Sequence, residues 1–361
     1  MVAQKTDTSV AGISPNATLY CTCVPSSDSL GNITNDVISE YYNSLKWLVN
    51  NNVDIVNISM EITEIDSDGN LILNKYNFIC ELIDYFSTKY MVTYIVANGN
   101  SGINGVTSPA LAYNCIAVGN VNDNNTTSVK DDVISSTSSI INSKTLTDLP
   151  SKPDVCAPGV NINLNSIEYS GTSFSAPHVT GAAALLGEID PLILISPVTI
   201  KAILVAGVDP SLRFTPQDRK VTTDVRKPAS SYIQYGARLI NCRRSGIITL
   251  TEQYDFGVYP KSLTSSSQKI MCDENEDIRV ALVFEKSMVE YSEGVWYNNY
   301  YDNLDLYVYD TNGNLIGSST TVNNNVEIVD FTAEVAGEYT IEITRVPTEH
   351  QSDVSFALAW I

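Results

Sequence analysis

The run Tyr169-Ser170-Gly171-Thr172-Ser173-Phe174-Ser175-Ala176-Pro177-His178-Val179-Thr180-Gly181, continued by small apolar residues to Leu186, constrains this chain more than any other stretch. A Gly-Thr-Ser turn leading straight into a helix sets the Ser173 hydroxyl at the helix N-terminus, where unpaired N–H groups and the macrodipole favour developing negative charge. Pro177 is expected in the first turn, where its missing N–H removes nothing. Ala176, Val179, Ala182, Ala183 and Leu186 are too uniformly apolar for a surface helix, so this helix belongs in a core. Around it, strand-like runs at 18–24, 54–59, 91–97 and 115–119 alternate with helical spacing at 36–50, 76–89 and 198–205. That alternation predicts parallel βαβ units with helices on both faces of one sheet.

Residues 122–149, rich in Asn, Ser, Thr and Asp, read as a long loop with one short strand, and 217–231 is a polar break. Past about residue 246 the apolar period changes to two. Runs at 278–284, 304–309, 326–331, 338–343 and 354–360, with turn pairs such as Asn312-Gly313 between them, predict an antiparallel β-sandwich. The expected organisation is an α/β part at 1–246 and a separately folding β-sandwich at 247–361, as a chain of 361 residues with 43% hydrophobic content allows.

Gly171-Thr172-Ser173-x-Ser175-Ala176-Pro177-His178-Val179-x-Gly181 resembles the serine motif of the subtilisin-like serine proteases. Four more segments resemble that family in its own order: Gly12–Ala17 before a core strand, Asp54–Met60 as the substrate-binding strand, Ala97–Gly102 as the oxyanion-hole loop, and Lys152–Gly159 upstream of the serine. Arg238 and its neighbours, in Tyr235–Asn241, resemble the close of the catalytic domain, while Asn303–Val308 and Gly337–Glu342 resemble the β-sandwich appended to some bacterial subtilases. The resemblance implies a subtilisin-like parallel sheet and peptide-bond hydrolysis, with Ser173 as nucleophile and Asn100 as the side-chain oxyanion donor. In subtilisin itself, removing that donor costs about 10²–10³ in turnover. It further implies that an extended protein or peptide substrate lies along Ser59, Met60 and Glu61, with Ala97, Asn98 and Gly99 walling the pocket for the side chain before the scissile bond. Glu61 stands where the family often has glycine, a departure that either narrows the pocket or favours basic residues.

The family's aspartate and histidine should precede these residues. The chain holds two histidines, His178 inside the serine motif and His350 in the sandwich. His178 lies five residues past Ser173, with its side chain about 500° further round the helix, and so is not a base for it. Met1-Val2-Ala3 resembles the end of the family's His-Gly-Thr-x-Val-Ala, which implies an upstream segment supplying Asp and His. A rival alignment puts Thr6 at the histidine position and makes the chain a catalytically inactive pseudoprotease that binds peptides or partner proteins. Either way the strand of the catalytic aspartate, central in the family's sheet, is absent, and the sheet is expected to show unpaired backbone there.

The formal charge of −20 excludes nucleic acid or an anionic membrane as the partner of a basic surface. No apolar run reaches the roughly 18–20 residues of a membrane span, and no signal-peptide pattern opens the chain, so the compartment stays open. The seven cysteines have no metal spacing and read as buried free thiols. The chemistry needs no cofactor. Calcium commonly stabilises the family, but no motif here supports it, and Asp273-Glu274-Asn275-Glu276-Asp277 reads as a solvated acidic turn.

Overall fold

Strand-forming runs too apolar to face water on either side form the centre of the first part. A computed structural model describes residues 2, 12–24, 35–62, 66, 68, 70, 72–141, 149–164, 166–209, 238–292, 295–297, 302–348 and 351–361. Helix α1 (Asn35–Asn50) precedes β1 (Ile55–Ile58), and α2 (Phe78–Tyr90) precedes β2 (Thr93–Ala97). There follow β3 (Cys115–Asn122), β4 (Val133–Ile134), β5 (Val155–Pro158) and a hairpin of β6 (Ile162–Leu164) with β7 (Ile167–Tyr169). Helix α3 (Thr172–Ile189) comes next, then α4 (Pro197–Ala206) and α5 (Cys242–Leu250).

Strands β1, β2, β3 and β5 are parallel, and β4 closes antiparallel on β3. Alternate residues of β2 sort its two faces. Ile95 and Ala97 pack with α3 and α4, whereas Tyr94 and Val96 pack with α1 and α2. Helix α2 starts where Asn77 accepts from the N–H groups of Ile79 and Cys80, and stops where Met91 takes a left-handed conformation. Pro177 stands inside α3, in its second turn rather than the first, because the helix begins at Thr172. Its ring nitrogen has no hydrogen for the Ser173 carbonyl.

The strand expected at 18–24 is not formed: these residues pair with no other strand among those described. Leu19 and Tyr20 are exposed, Tyr20 meets the Trp47 ring, and β1 is the edge of the sheet. With no ladder to bury them, Cys21 and Cys23 are exposed, as is Cys242 at the start of α5; only Cys80, Cys115, Cys156 and Cys272 are the buried thiols expected. Burial pushes the Cys156 and Cys80 thiols up to about 12 and Cys115 to about 11, so they are inert packing groups. The polar break at 217–231, Tyr235 and His350 lie outside the described residues, as do Met1, Ala3 and Thr6.

The second part is a sandwich of two antiparallel four-stranded sheets. One contains β8 (Tyr254–Tyr259), β10 (Glu276–Phe284), β15 (Val326–Ala333) and β17 (Val354–Trp360). The other contains β9 (Ser265–Cys272), β13 (Asn303–Tyr309), β14 (Leu315–Ser319) and β16 (Gly337–Val346). A small hairpin joins β11 (Val289–Ser292) to β12 (Val295–Tyr297). In β10, Val280, Leu282 and Phe284 face the partner sheet, while Ala281 and Val283 join the cluster that holds α3 and α4. Every residue of α4 is buried, and the division near residue 246 falls inside α5. The core therefore runs on from one architecture into the other.

A buried ion triad fixes α4 to the sheet. Lys152 Nζ and Lys201 Nζ lie 2.8 and 2.9 Å from opposite oxygens of Asp154, and Lys201 also donates to the carbonyls of Tyr113 and Cys115. Burial alone would raise the Asp154 carboxyl; the two lysine charges and the Ala117 N–H outweigh it and hold the group below its ordinary value.

Candidate active site

The site is assembled where the carboxyl ends of β1 and β2 meet the start of α3. Gly171 caps α3 at φ 146°, a conformation that glycine adopts freely, and a Cβ there would sit 3.3 Å from the Asn100 side chain. Thr172 and Ser173 are the first two helical residues. The Asn100 carbonyl oxygen accepts from the Thr172 N–H at 2.9 Å and from its hydroxyl at 3.3 Å. The Thr172 hydroxyl in turn accepts from the Gly99 N–H at 3.2 Å. With its oxygen so engaged, Asn100 turns its NH₂ away from the helix toward Glu61, whose Oε1 accepts at 3.4 Å. Ser173 is half-buried, and among the described residues neither its hydroxyl nor its N–H has a hydrogen-bond partner.

Behind the turn, close backbone approach depends on Gly159. Its carbonyl accepts from the Gly171 N–H at 2.8 Å, and a Cβ would fall 2.1 Å from Ser175 Oγ and 2.6 Å from Asn120 Oδ1. The Asn100 loop is pinned from its other side. Asn98, fully buried, donates to the Ser139 carbonyl at 2.5 Å, and the Ser139 N–H donates to the Gly99 carbonyl at 3.0 Å.

Of the residues expected in the site, Ser173, Asn100, Gly99 and Glu61 are brought together. Ser59 follows β1 and accepts from Asn57, which is tied to α3 through the Thr180 hydroxyl. Two residues turn elsewhere: Ala97 packs in the core beneath α3, and Met60 packs toward α1 and α2. Ala97 continues the face of Ile95 on β2, and Met60 that of Val56 and Ile58 on β1, so alternation sends them into different helix layers. His178 Nδ1 lies 2.8 Å from the Phe174 carbonyl, and burial holds the imidazole below its ordinary value against the pull of that contact. Thr172 and Ser139, which hold the Asn100 loop, also belong to the site. Thr172 was signalled by its place in the Gly-Thr-Ser turn, whereas Ser139 lies in a Ser- and Thr-rich loop where nothing distinguishes it.

A parallel sheet covered on both faces, with a capped buried helix and an amide-bearing loop meeting at its carboxyl edge, defines an α/β class in which sites form at that edge. The family model described as the subtilase family, Peptidase_S8, matches residues 1–231, and the chain belongs to that family. It is 28% identical over 187 residues to subtilisin BL of Lederbergia lenta, covering 50% of this chain and 58% of that protein. It is 27% identical to an alkaline protease of Alkalihalobacillus alcalophilus, covering 50% of this chain and 41% of that protein. The chain thus spans about half the length of the curated relatives it matches. Among solved structures, the prenylagaramide maturation protease PagA is similar at 23% identity and a TM-score of 0.48, over 68% of this chain and 78% of that one. The self-cleaved protease domain of PatA matches at 18% identity, with the same TM-score, over 69% and 80%.

Proposed function

We propose that this chain carries the nucleophile and oxyanion-binding part of a subtilisin-like serine endopeptidase acting on protein or peptide substrates. The observation that supports this most directly is the orientation of Asn100. Thr172 occupies its carbonyl oxygen, which turns the NH₂ away from the helix toward Glu61, and the Ser173 N–H has no partner among the described residues. These two groups are, in this reading, the donors for the negative oxygen of a tetrahedral intermediate formed at the Ser173 hydroxyl. In this reading the Ser173 hydroxyl attacks the scissile carbonyl, the carbonyl oxygen becomes the oxyanion, and the proton passes to a histidine oriented by an aspartate. On this proposal that pair comes from a segment upstream of Met1.

Without a base the Ser173 hydroxyl keeps its proton, and oxyanion binding alone retains only about 10³–10⁴ over the uncatalysed rate. The 361-residue chain should therefore release almost no product from a fluorogenic peptide. Addition of an upstream segment bearing the aspartate and His-Gly-Thr should raise turnover by several powers of ten, and Ser173→Ala should abolish the gain. A second reading is a peptide-binding pseudoprotease, since the described residues offer the Ser173 hydroxyl no base: the His178 Nδ1 lies against the Phe174 carbonyl. Peptide binding without turnover in the supplemented chain would establish that reading. Brisk Ser173-dependent cleavage by the chain alone would overturn the argument from a missing base.

A further inference from the structure

Glu61 is a carboxylate that faces an oxyanion donor. Its Oε1 accepts from the Asn100 NH₂ at 3.4 Å, and among the described residues it has no lysine or arginine partner. Left so, it opposes the proposed chemistry twice: it holds one hydrogen of the amide that the oxyanion would use, and its charge repels the one that develops there. An occupant that neutralises Glu61 would remove both effects.

The surroundings specify what that occupant brings. Glu61 adjoins Ile62, whose N–H donates to the Ser108 carbonyl, so the segment runs beside Thr107. The Thr107 hydroxyl is buried with no hydrogen-bond partner, and so is the Asn98 carbonyl oxygen. Gly99 packs against this group: a Cβ there would meet Thr107 Oγ1 at 2.8 Å and Ser139 Oγ at 2.9 Å. The carboxylate lacks a countercharge and two buried oxygens beside the same loop lack partners, and an apolar side chain would leave them so. A long side chain ending in a cation supplies both donors and charge.

We propose that Glu61 selects substrates with lysine or arginine immediately before the scissile bond, and that pairing with this cation frees the Asn100 amide for the oxyanion. The proposal rests on the peptide-groove reading above. Of the two consequences that the sequence left open at this position, a narrowed pocket and a basic preference, it commits to the second.

The test uses the full chain carrying Ser173→Ala and labelled octapeptides that differ only in lysine, norleucine or, for one variant, glutamate at the position in question, with binding read by fluorescence anisotropy. Lysine should improve the dissociation constant about tenfold at low salt, and the advantage should vanish in Glu61→Gln while norleucine binding holds. Glu61→Lys should reverse the preference toward a glutamate peptide, which shows that the variant still folds and binds. The chain's overall charge of −20 attracts any cationic peptide, but that attraction survives Glu61→Gln and is thereby separated. Equal binding of the lysine and norleucine peptides, or a lysine advantage retained in Glu61→Gln, overturns the role of Glu61 and leaves the groove standing. Failure of both peptides to bind any variant overturns the groove as well.

Discussion

At the residue scale, two small groups make the site possible by what they leave room for. Asn100 caps α3 through its oxygen and offers its nitrogen to the open side, so one side chain serves both the fold and the proposed chemistry. Gly159 lets the backbone of the serine turn approach β5, and the crowding there yields a sharp expectation. A methyl group at 159 would lie 2.1 Å from Ser175 Oγ, 2.6 Å from Asn120 Oδ1 and 2.9 Å from the Gly171 carbonyl. The hydroxyl can rotate away, but the backbone carbonyl cannot. Gly159→Ala should therefore lose about 1–3 kcal/mol in denaturant unfolding, as overpacking does elsewhere. Gly257→Ala, with nothing within 4 Å of the new methyl, should stay within about 0.5 kcal/mol of the parent. Equal losses at the two positions would show that the contact around Gly159 is not as tight as described.

At the element scale, β14 and β15 meet across the sandwich through a buried carboxyl. Glu327 is completely buried and accepts from the Thr321 N–H at 3.0 Å, with the hydroxyls of Ser319 and Thr321 on its two oxygens. Burial, only partly offset by those hydrogen bonds, pushes it up to about 8. Below pH 4.5, its ordinary value, folded and unfolded chains both hold the proton, so the shift costs nothing. Between there and 8 only the unfolded chain releases it, so stability falls as the pH rises, then levels off. Glu327→Gln should match the parent near pH 4.5 and exceed it by up to about 3 kcal/mol at pH 7, at about 1.4 kcal/mol per pH unit. A difference that does not vary with pH would refute the buried neutral acid. The elements themselves were legible to different degrees. Helices α1 and α2 were readable from apolar spacing because one layer covers each stripe, whereas α4, buried all round, shows as a continuous apolar run. Strand β9 was not: Ser265, Ser266, Ser267, Gln268 and Lys269 carry no alternation, and pairing with β16 alone makes them a strand. At 18–24 the composition reads as a strand, but a ladder partner decides the matter and none is present among the described residues.

At the scale of the whole molecule, the change of period near residue 246 was legible as a change of architecture, yet the packing that crosses it was written in the same strands. Ile278-Arg279-Val280-Ala281-Leu282-Val283-Phe284 is almost continuously apolar, as is Phe356-Ala357-Leu358-Ala359-Trp360. Such runs mark strands covered on both faces, whereas Glu338-Tyr339-Thr340-Ile341-Glu342-Ile343 alternates and is covered on one. The second cover of β10 and β17 is α4, which contributes Ile200, Ala202, Ile203, Leu204 and Val205 to a cluster shared with Ala281, Val283, Val326, Ile328, Ala357 and Ala359. Arg279 completes the contact: its Nε donates to the Val205 carbonyl at 3.1 Å near the end of α4, while Asp330 takes its charge at 3.0 Å. Removing either part would bare an apolar face that water must then cover, at roughly 25 cal/mol for each Å² exposed. The two parts should therefore unfold as one cooperative unit. Calorimetry of the full chain should show a single transition, and Arg279→Met, which leaves the Val205 carbonyl without its donor and Asp330 without its cation, should lower that transition without splitting it. Chains of residues 1–251 and 252–361 expressed apart should each lack a sharp transition and expose surface that binds a hydrophobic dye. Two soluble fragments with transitions of their own would show that the contact at α4 is a docking of finished domains, and would return the chain to the two independent folding units that its periodicity predicts.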